Sequence, residues 1–294
     1  MFKTILLKDQ PVQIVQNILN HSVAPRPICF ASTVDAKGMV NLSPFSYFNM
    51  FSSNPPVIIF SPTSRLRNNT HKHTLENLKE VNEVCINIVS YDMVHGVSLA
   101  SSEFARGVDE FVKAGFTKVA SQLIQPPRVM ESPVQMECRV IEIKSLGTQG
   151  GAGNLVIAEV LMIHINENLF TDDKIDQTKF DFAARMGAHW YARVNKENMF
   201  QVERPNEKIG IGIDNLPESI RTSKILTGNN LAQLANVHEM PVVDISFEDD
   251  RLKNIFQYYA VDPVEMETEL HKYASQLLNE GKVPAAWQVL LANN

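Results

Sequence analysis

The chain is poor in the features that mark several large classes of protein. It has only three cysteines, Cys29, Cys85 and Cys138, far apart and each inside an apolar run. An odd number with no CxxC spacing argues against a disulfide framework or a zinc site and reads as buried, reduced thiols. No apolar run reaches the roughly 18 residues that a membrane span requires. The first residues hold only a short apolar patch before Lys8 and Asp9, too short for a secretory signal, so a cytoplasmic protein is expected. Basic residues are in deficit, 27 Lys and Arg against 33 Asp and Glu. With no basic stripe, a nucleic-acid partner is disfavoured. The glycine-rich run Gly147–Gly153 lies between two apolar, strand-like segments and opens no helix, so it reads as a hairpin and not a dinucleotide-binding turn. His71 and His73 have no third ligand nearby, and no metal is expected. No nucleophilic triad or acid–base dyad is visible.

What is present is unevenly distributed. Residues 1–204 carry 20 Lys/Arg and 20 Asp/Glu, whereas residues 205–294 carry 7 and 13, so the whole net charge of −6 lies in the last ninety positions. The break falls near Glu203–Pro205. Two domains are expected, 1–204 and 205–294, the second a mostly helical acidic extension. It reads as a short strand from Lys208, a helix started at Pro217, a break at Gly228-Asn229-Asn230, helices over 248–258 and 263–280, and an apolar end that docks.

The first part is mainly β with helices. A helix is expected over 11–20, then strands at 27–34, 39–47, 56–61, 84–90, 133–146 and 155–166. Asp35–Gly38 reads as a turn. Between the apolar runs Ile28–Ala31 and Val57–Phe60 lie Asn41, Ser43, Ser46, Tyr47, Phe48 and Asn49. Rings beside hydroxyls and amides suit a flat, partly polar ligand. Pro25 and Pro27 fix the chain around Arg26, for which a surface ion pair is the plainer reading. Thr74 reads as the N-cap of a short helix with Leu75 and Leu78 facing in. Ahead of it Arg65, Arg67 and Lys72 form the densest basic cluster, an anion or phosphate site if it is more than a solvated loop. Later, Arg185, Gly187, His189, Trp190 and Tyr191 cluster as a surface for a ligand or second subunit, or as a plain anchoring turn.

These segments, in this order, resemble the flavin reductase-like family of FMN-binding split-barrel proteins, the group that includes flavoredoxin-type proteins. The resemblance rests on Arg26-Pro27-Ile28, Ala31–Asp35 with Gly38, Asn41–Asn49, Asn54-Pro55-Pro56, Lys72–Leu78, Ser101–Glu103 with Gly107–Phe111, and Arg185-Met186-Gly187 with Tyr191. It covers about residues 10–200. His73 departs from the family's usual Asp, and Ala188 from its second Gly. The resemblance implies an FMN-binding split β-barrel plus a C-terminal helical extension. Its isoalloxazine would lie along Ser43, Phe45, Ser46, Tyr47, Phe48 and Asn49, and its phosphate among Ser61, Arg67, Lys72 and Thr74. Pro27, Ser32 and Thr33 would add contacts. Arg26 and Arg185 would tune the flavin electrostatically, and Tyr191 and Arg185 would meet the flavin or a second subunit of a homodimer. The implied activity is reduction of flavin or another small electron acceptor by NAD(P)H, with hydride transfer to flavin N5. The alternative is an electron carrier that serves a protein partner without NAD(P)H activity of its own.

Overall fold

In a computed structural model, residues 1–202 and 209–292 are described. The chain forms two compact units, Met1–Phe200 and Gln201–Asn294. The charge break at Glu203–Pro205, and the boundary drawn at 204, lie outside the described residues.

The first unit opens with α1 (Val12–Ser22), β1 (Arg26–Pro27), β2 (Cys29–Val34), β3 (Val40–Phe45), β4 (Phe48–Ser53) and β5 (Pro56–Phe60). Next come α2 (His73–Glu80), β6 (Glu83–Ile88), α3 (Val94–Ala100), α4 (Glu110–Ala114), and a two-residue ladder of β7 (Lys118–Val119) with β8 (Arg128–Val129). Two long strands, β9 (Val134–Ser145) and β10 (Asn154–Ile165), are joined by the glycine-rich run as an antiparallel hairpin. A second short ladder, β11 (Phe170–Thr171) with β12 (Lys174–Ile175), precedes the hairpin of β13 (Phe182–Arg185) and β14 (Tyr191–Val194).

Seven strands make one antiparallel sheet in the order β3-β2-β6-β9-β10-β5-β4. Every residue of β2 is buried, because both faces of that strand are covered. Cys29 and Ala31 join Phe45, Phe60, Leu75, Leu78, Ile86 and Val156 in one core, where the Phe45 and Phe60 rings sit 5.4 Å apart. On the opposite face, Phe30 joins Leu42, Val97 and Phe111 under α3 and α4. Each large side chain so buried stabilises the fold by roughly 1.5–3 kcal/mol. All three cysteines are buried and free.

The turn between β2 and β3 forms as the sequence predicts. Asp35 Oδ1 accepts from the Lys37 and Met39 amides, both at 2.9 Å, and Gly38 takes φ +78°. Other expectations are corrected. The strand expected to run to residue 47 ends at Phe45, and Phe48–Ser53 forms an edge strand that its weak, largely exposed pattern hides. Thr74 does not cap α2. Lys72 occupies the N-cap, no side chain caps the helix, and Thr74 is buried as its second residue.

The second unit has its own core of Leu234, Leu252, Leu270, Leu277, Trp287 and neighbours. It is built from α5 (Glu218–Arg221), α6 (Gly228–Ala235), α7 (Asp250–Tyr258), α8 (Pro263–Asn279) and α9 (Val283–Leu291). Gly228-Asn229-Asn230 begins a helix and does not break one, because Thr227 and Asn230 form a reciprocal capping box. The short strand expected from Lys208 is absent among the described residues, where Ile213–Asn215 is a 3-10 turn. No helix among the described residues is long and apolar enough to cross a membrane.

Candidate functional site

The start of α2 faces a small polar pocket. Its wall takes Asn41 and Ser43 from β3, Arg65 from the loop after β5, and Lys72, His73 and Thr74 from the helix start. Ser101, Ser102 and Glu103 close it from the loop after α3, with Glu110 of α4 behind. The free space is about 20 Å³.

The helix is held in place by a buried polar seam. Asn41 Nδ2 donates to Thr74 Oγ1 at 2.9 Å, and Asn77 Nδ2 donates to Thr33 Oγ1 at 3.2 Å. Thr33 and Thr74 are fully buried. Thr33 therefore positions α2 from the sheet side, while Thr74 reaches both the seam and the pocket wall. Behind them Glu110 Oε2 accepts the Leu42 amide at 3.0 Å, and burial pushes its carboxyl pKa up.

The charges of the pocket are not evenly matched. Arg65 donates to Thr70 Oγ1 at 3.0 Å and to the His71 carbonyl, which fixes it while its side chain stays only 17% exposed. Arg67 is 78% exposed and pairs with Glu103 at 2.9 Å. Glu103 also reaches Arg65 at 3.4 Å. The Lys72 ammonium has no acceptor among the described residues, and burial, then the neighbouring Arg65 charge, pulls its pKa down. Burial also lowers the pKa of His73. An unpartnered, partly buried lysine beside a fixed arginine, at a helix start with free N–H groups, is a site for an anion.

A second, apolar groove of about 310 Å³ runs along α1 and is lined by Val12, Val15, Leu19, Val23, Arg26, Tyr47 and Gly151. Tyr47 Oη donates to Asn20 Oδ1 at 3.0 Å. Arg26 is buried, not paired with a surface acid. Its Nη1 donates to the Asn20 carbonyl at 2.8 Å and to the Val23 carbonyl, and its Nη2 to the Met186 carbonyl at 3.1 Å. Its buried Nε has no partner. Arg26 lies opposite Arg185 in the β1–β13 register. Arg185 clamps the hairpin tip through the Trp190 carbonyl at 2.8 Å and the Ala188 carbonyl, and stacks 4.7 Å from the centre of the Tyr191 ring. Ala188 holds a positive φ of 47°, the region a glycine would enter freely.

The remaining predicted site residues are scattered. Ser32 is buried with an unpartnered Oγ, Phe45 lies in the core, and Phe48 packs against it. Ser46 sits in the turn before β4, Asn49 is exposed on β4, and Pro27 is exposed on β1. Ser61 lies beside Gly153, where an added Cβ would come within 2.8 Å of its Oγ, and not in the pocket with Lys72. Ser101 and Ser102 line the pocket although the sequence gives them no binding role, whereas Asn41 belongs to the segment read as suiting a flat ligand. Of the basic cluster read as an anion site, Arg65 and Lys72 line the pocket and Arg67 does not. In the second unit, Ser223 Oγ and His271 Nδ1 lie 2.8 Å apart, but Ser223 also accepts the Ile225 and Leu226 amides, which makes it a turn anchor.

Comparison with known proteins bears on the family and the fold. The chain is 29% identical over 181 residues to an uncharacterized protein of Aquifex aeolicus, which spans 61% of this chain and 90% of that one. It is 30% identical over 190 residues to one of Halalkalibacterium halodurans, spanning 64% and 90%. Among solved structures, nitrilotriacetate monooxygenase component B from Bacillus cereus superposes with a TM-score of 0.64 at 26% identity, covering 69% of this chain and 99% of that one. Flavoredoxin of Desulfovibrio vulgaris (Miyazaki F) shares the fold, with a TM-score of 0.53 at 21% identity, covering 63% and 93%. The family described as "Flavin reductase like domain" matches residues 21–179, and with the split-barrel sheet and the ordered motifs this places the chain in the flavin reductase-like family.

Proposed function

We propose that the chain is an FMN-binding oxidoreductase that uses NAD(P)H to reduce flavin or another small electron acceptor. One observation carries the reading: Lys72 stands unpartnered beside Arg65 at the uncapped start of α2. A phosphomonoester, with a charge of about −1.5 to −2 at neutral pH, is the ligand such a pocket takes. Lys72 and Arg65 would hold the phosphate, with the first α2 amides and the Ser43, Ser101 and Ser102 hydroxyls as donors. The groove at Tyr47 has a volume suited to a planar ring system. There the fixed charge of Arg26 favours negative charge on a bound ring. FMN held by these residues would supply the redox chemistry, hydride acceptance and onward electron transfer. The protein's share is orientation and electrostatics, which is why no acid–base dyad is needed.

The same reading includes a homodimer. No residue of α1 is buried in the single chain; Val12, Ile14 and Leu19 are 44–50% exposed on a helix of amphipathic pattern, and Val23 just after it is 60% exposed. A second copy of this chain would cover them. We take the second unit as an accessory to this barrel.

The test is titration of the purified chain with FMN, followed by quenching of flavin fluorescence, then anaerobic mixing with NADH or NADPH. Saturable binding with bleaching of the flavin absorbance is expected. Binding without bleaching at millimolar nucleotide would make the chain an electron carrier, and absence of binding would end the flavin reading.

A further inference from the structure

We infer that Glu103 is a built-in counter-ion that a ligand's phosphate must displace, and that it thereby sets how strongly the pocket prefers a phosphorylated flavin to an unphosphorylated one. This rests on the phosphate reading above. The Glu103 carboxylate bridges two arginines, Oε1 to Arg65 Nε at 3.4 Å and Oε2 to Arg67 Nη2 at 2.9 Å. It lines the same pocket as Lys72, and its charge also acts on Lys72. The carboxylate therefore holds Arg65, one of the two cations that an incoming phosphate would use, and shares the pocket wall with the other, Lys72.

Space and charge point the same way. With Glu103 in the pocket wall, the free space of about 20 Å³ is room for one or two waters. Glu103, 52% exposed on a loop and part of the pocket wall, is placed to swing outward as a phosphate takes its position on Arg65. Once Glu103 has left, Arg65 and Lys72 present two positive charges, matched to a phosphomonoester dianion. Glu103 thus weakens phosphate binding while it remains, and holds Arg65 and Arg67 apart from each other's repulsion in the free protein. It does nothing for a flavin that lacks the phosphate.

The experiment measures dissociation constants of FMN and riboflavin for the full-length protein by fluorescence titration, and compares their ratio among variants. Glu103→Gln should tighten FMN by roughly fivefold, about the weight of one nearby surface charge, and leave riboflavin unchanged. Glu103→Ala should act in the same direction, so that a new amide hydrogen bond is not the cause. Lys72→Met should collapse the preference for FMN. If Lys72→Met collapses it and both Glu103 variants leave the ratio unchanged or lower it, Glu103 merely braces the arginines and the inference is wrong. If no variant moves the ratio, the phosphate lies elsewhere and the inference falls with that reading.

Discussion

Thr74→Val isolates the buried seam that aims α2 at the pocket. The change keeps the shape of a fully buried side chain and removes the oxygen that accepts from Asn41 at 2.9 Å. Asn41, 8% exposed, is left with a donor and no acceptor. An orphaned buried donor costs about 1–3 kcal/mol, and the added methyl returns at most about 0.8 kcal/mol. A net loss of about 1–2 kcal/mol is expected, or roughly 2–4 °C of melting temperature per kcal/mol for a unit of this size. Asn41→Leu combined with Thr74→Val removes both partners and should recover about 1 kcal/mol relative to the sum of the single changes. Circular dichroism in urea follows the loss, and the molecule carries its own control. Of the two tryptophans, Trp190 is 74% exposed, whereas Trp287 is fully buried in the helical unit. Fluorescence change on unfolding therefore reports that unit, and its midpoint should not move. Both variants should also bind FMN, but not riboflavin, more weakly, because the Thr74 hydroxyl proton is lost. Strict additivity of the two changes would refute the seam as a coupled pair.

Other expectations follow from groups described here or beside them. Glu137 is fully buried; burial raises its pKa, but the Gln122 and Leu123 amides and His164 outweigh burial and leave it lowered. Its contribution is thus present above the unfolded value of about 4.3 and is lost as pH falls, and Glu137→Gln should cost about 3 kcal/mol and speed amide exchange over residues 120–126. His271 is buried, and burial lowers its pKa, so the helical unit should lose stability as pH falls below about 6.5, read by Trp287 fluorescence. A His271→Gln chain that keeps the same acid step would reject that assignment. Val12→Asp with Leu19→Asp should convert a sedimenting dimer to a monomer, and an unchanged sedimentation coefficient would count against α1 as the interface.

Much of the barrel is legible in the sequence because its strands alternate or run fully apolar. Val84–Ile88 and Val156–Ile165 carry their own periodicity, and Leu75 and Leu78 carry that of α2. Phe48–Ser53 does not, because an edge strand exposed along most of its length has no face to encode. The basic cluster is legible as a cluster, but not the choice within it. Arg65 rather than Arg67 turns inward because Thr70 and the His71 carbonyl hold it. Thr74 reads locally as a cap, and only a partner 33 positions away makes it a seam residue. The start at Thr227 was readable, since Thr-x-x-Asn is a local signal.

The sealed thiols give the barrel a clock. Cys29, Cys85 and Cys138 sit on three strands of one sheet, and burial pushes their pKa values up, that of Cys85 to about 12. A thiol held neutral and out of contact with solvent does not meet an alkylating reagent while the sheet is closed. The rate at which such a reagent is taken up therefore counts openings of the barrel, not exposure of a surface group. A ligand that binds only the closed sheet must slow that count by the factor 1 + [L]/Kd. Mass increments on three unreactive cysteines would then weigh the affinity of any bound ligand, coloured or not.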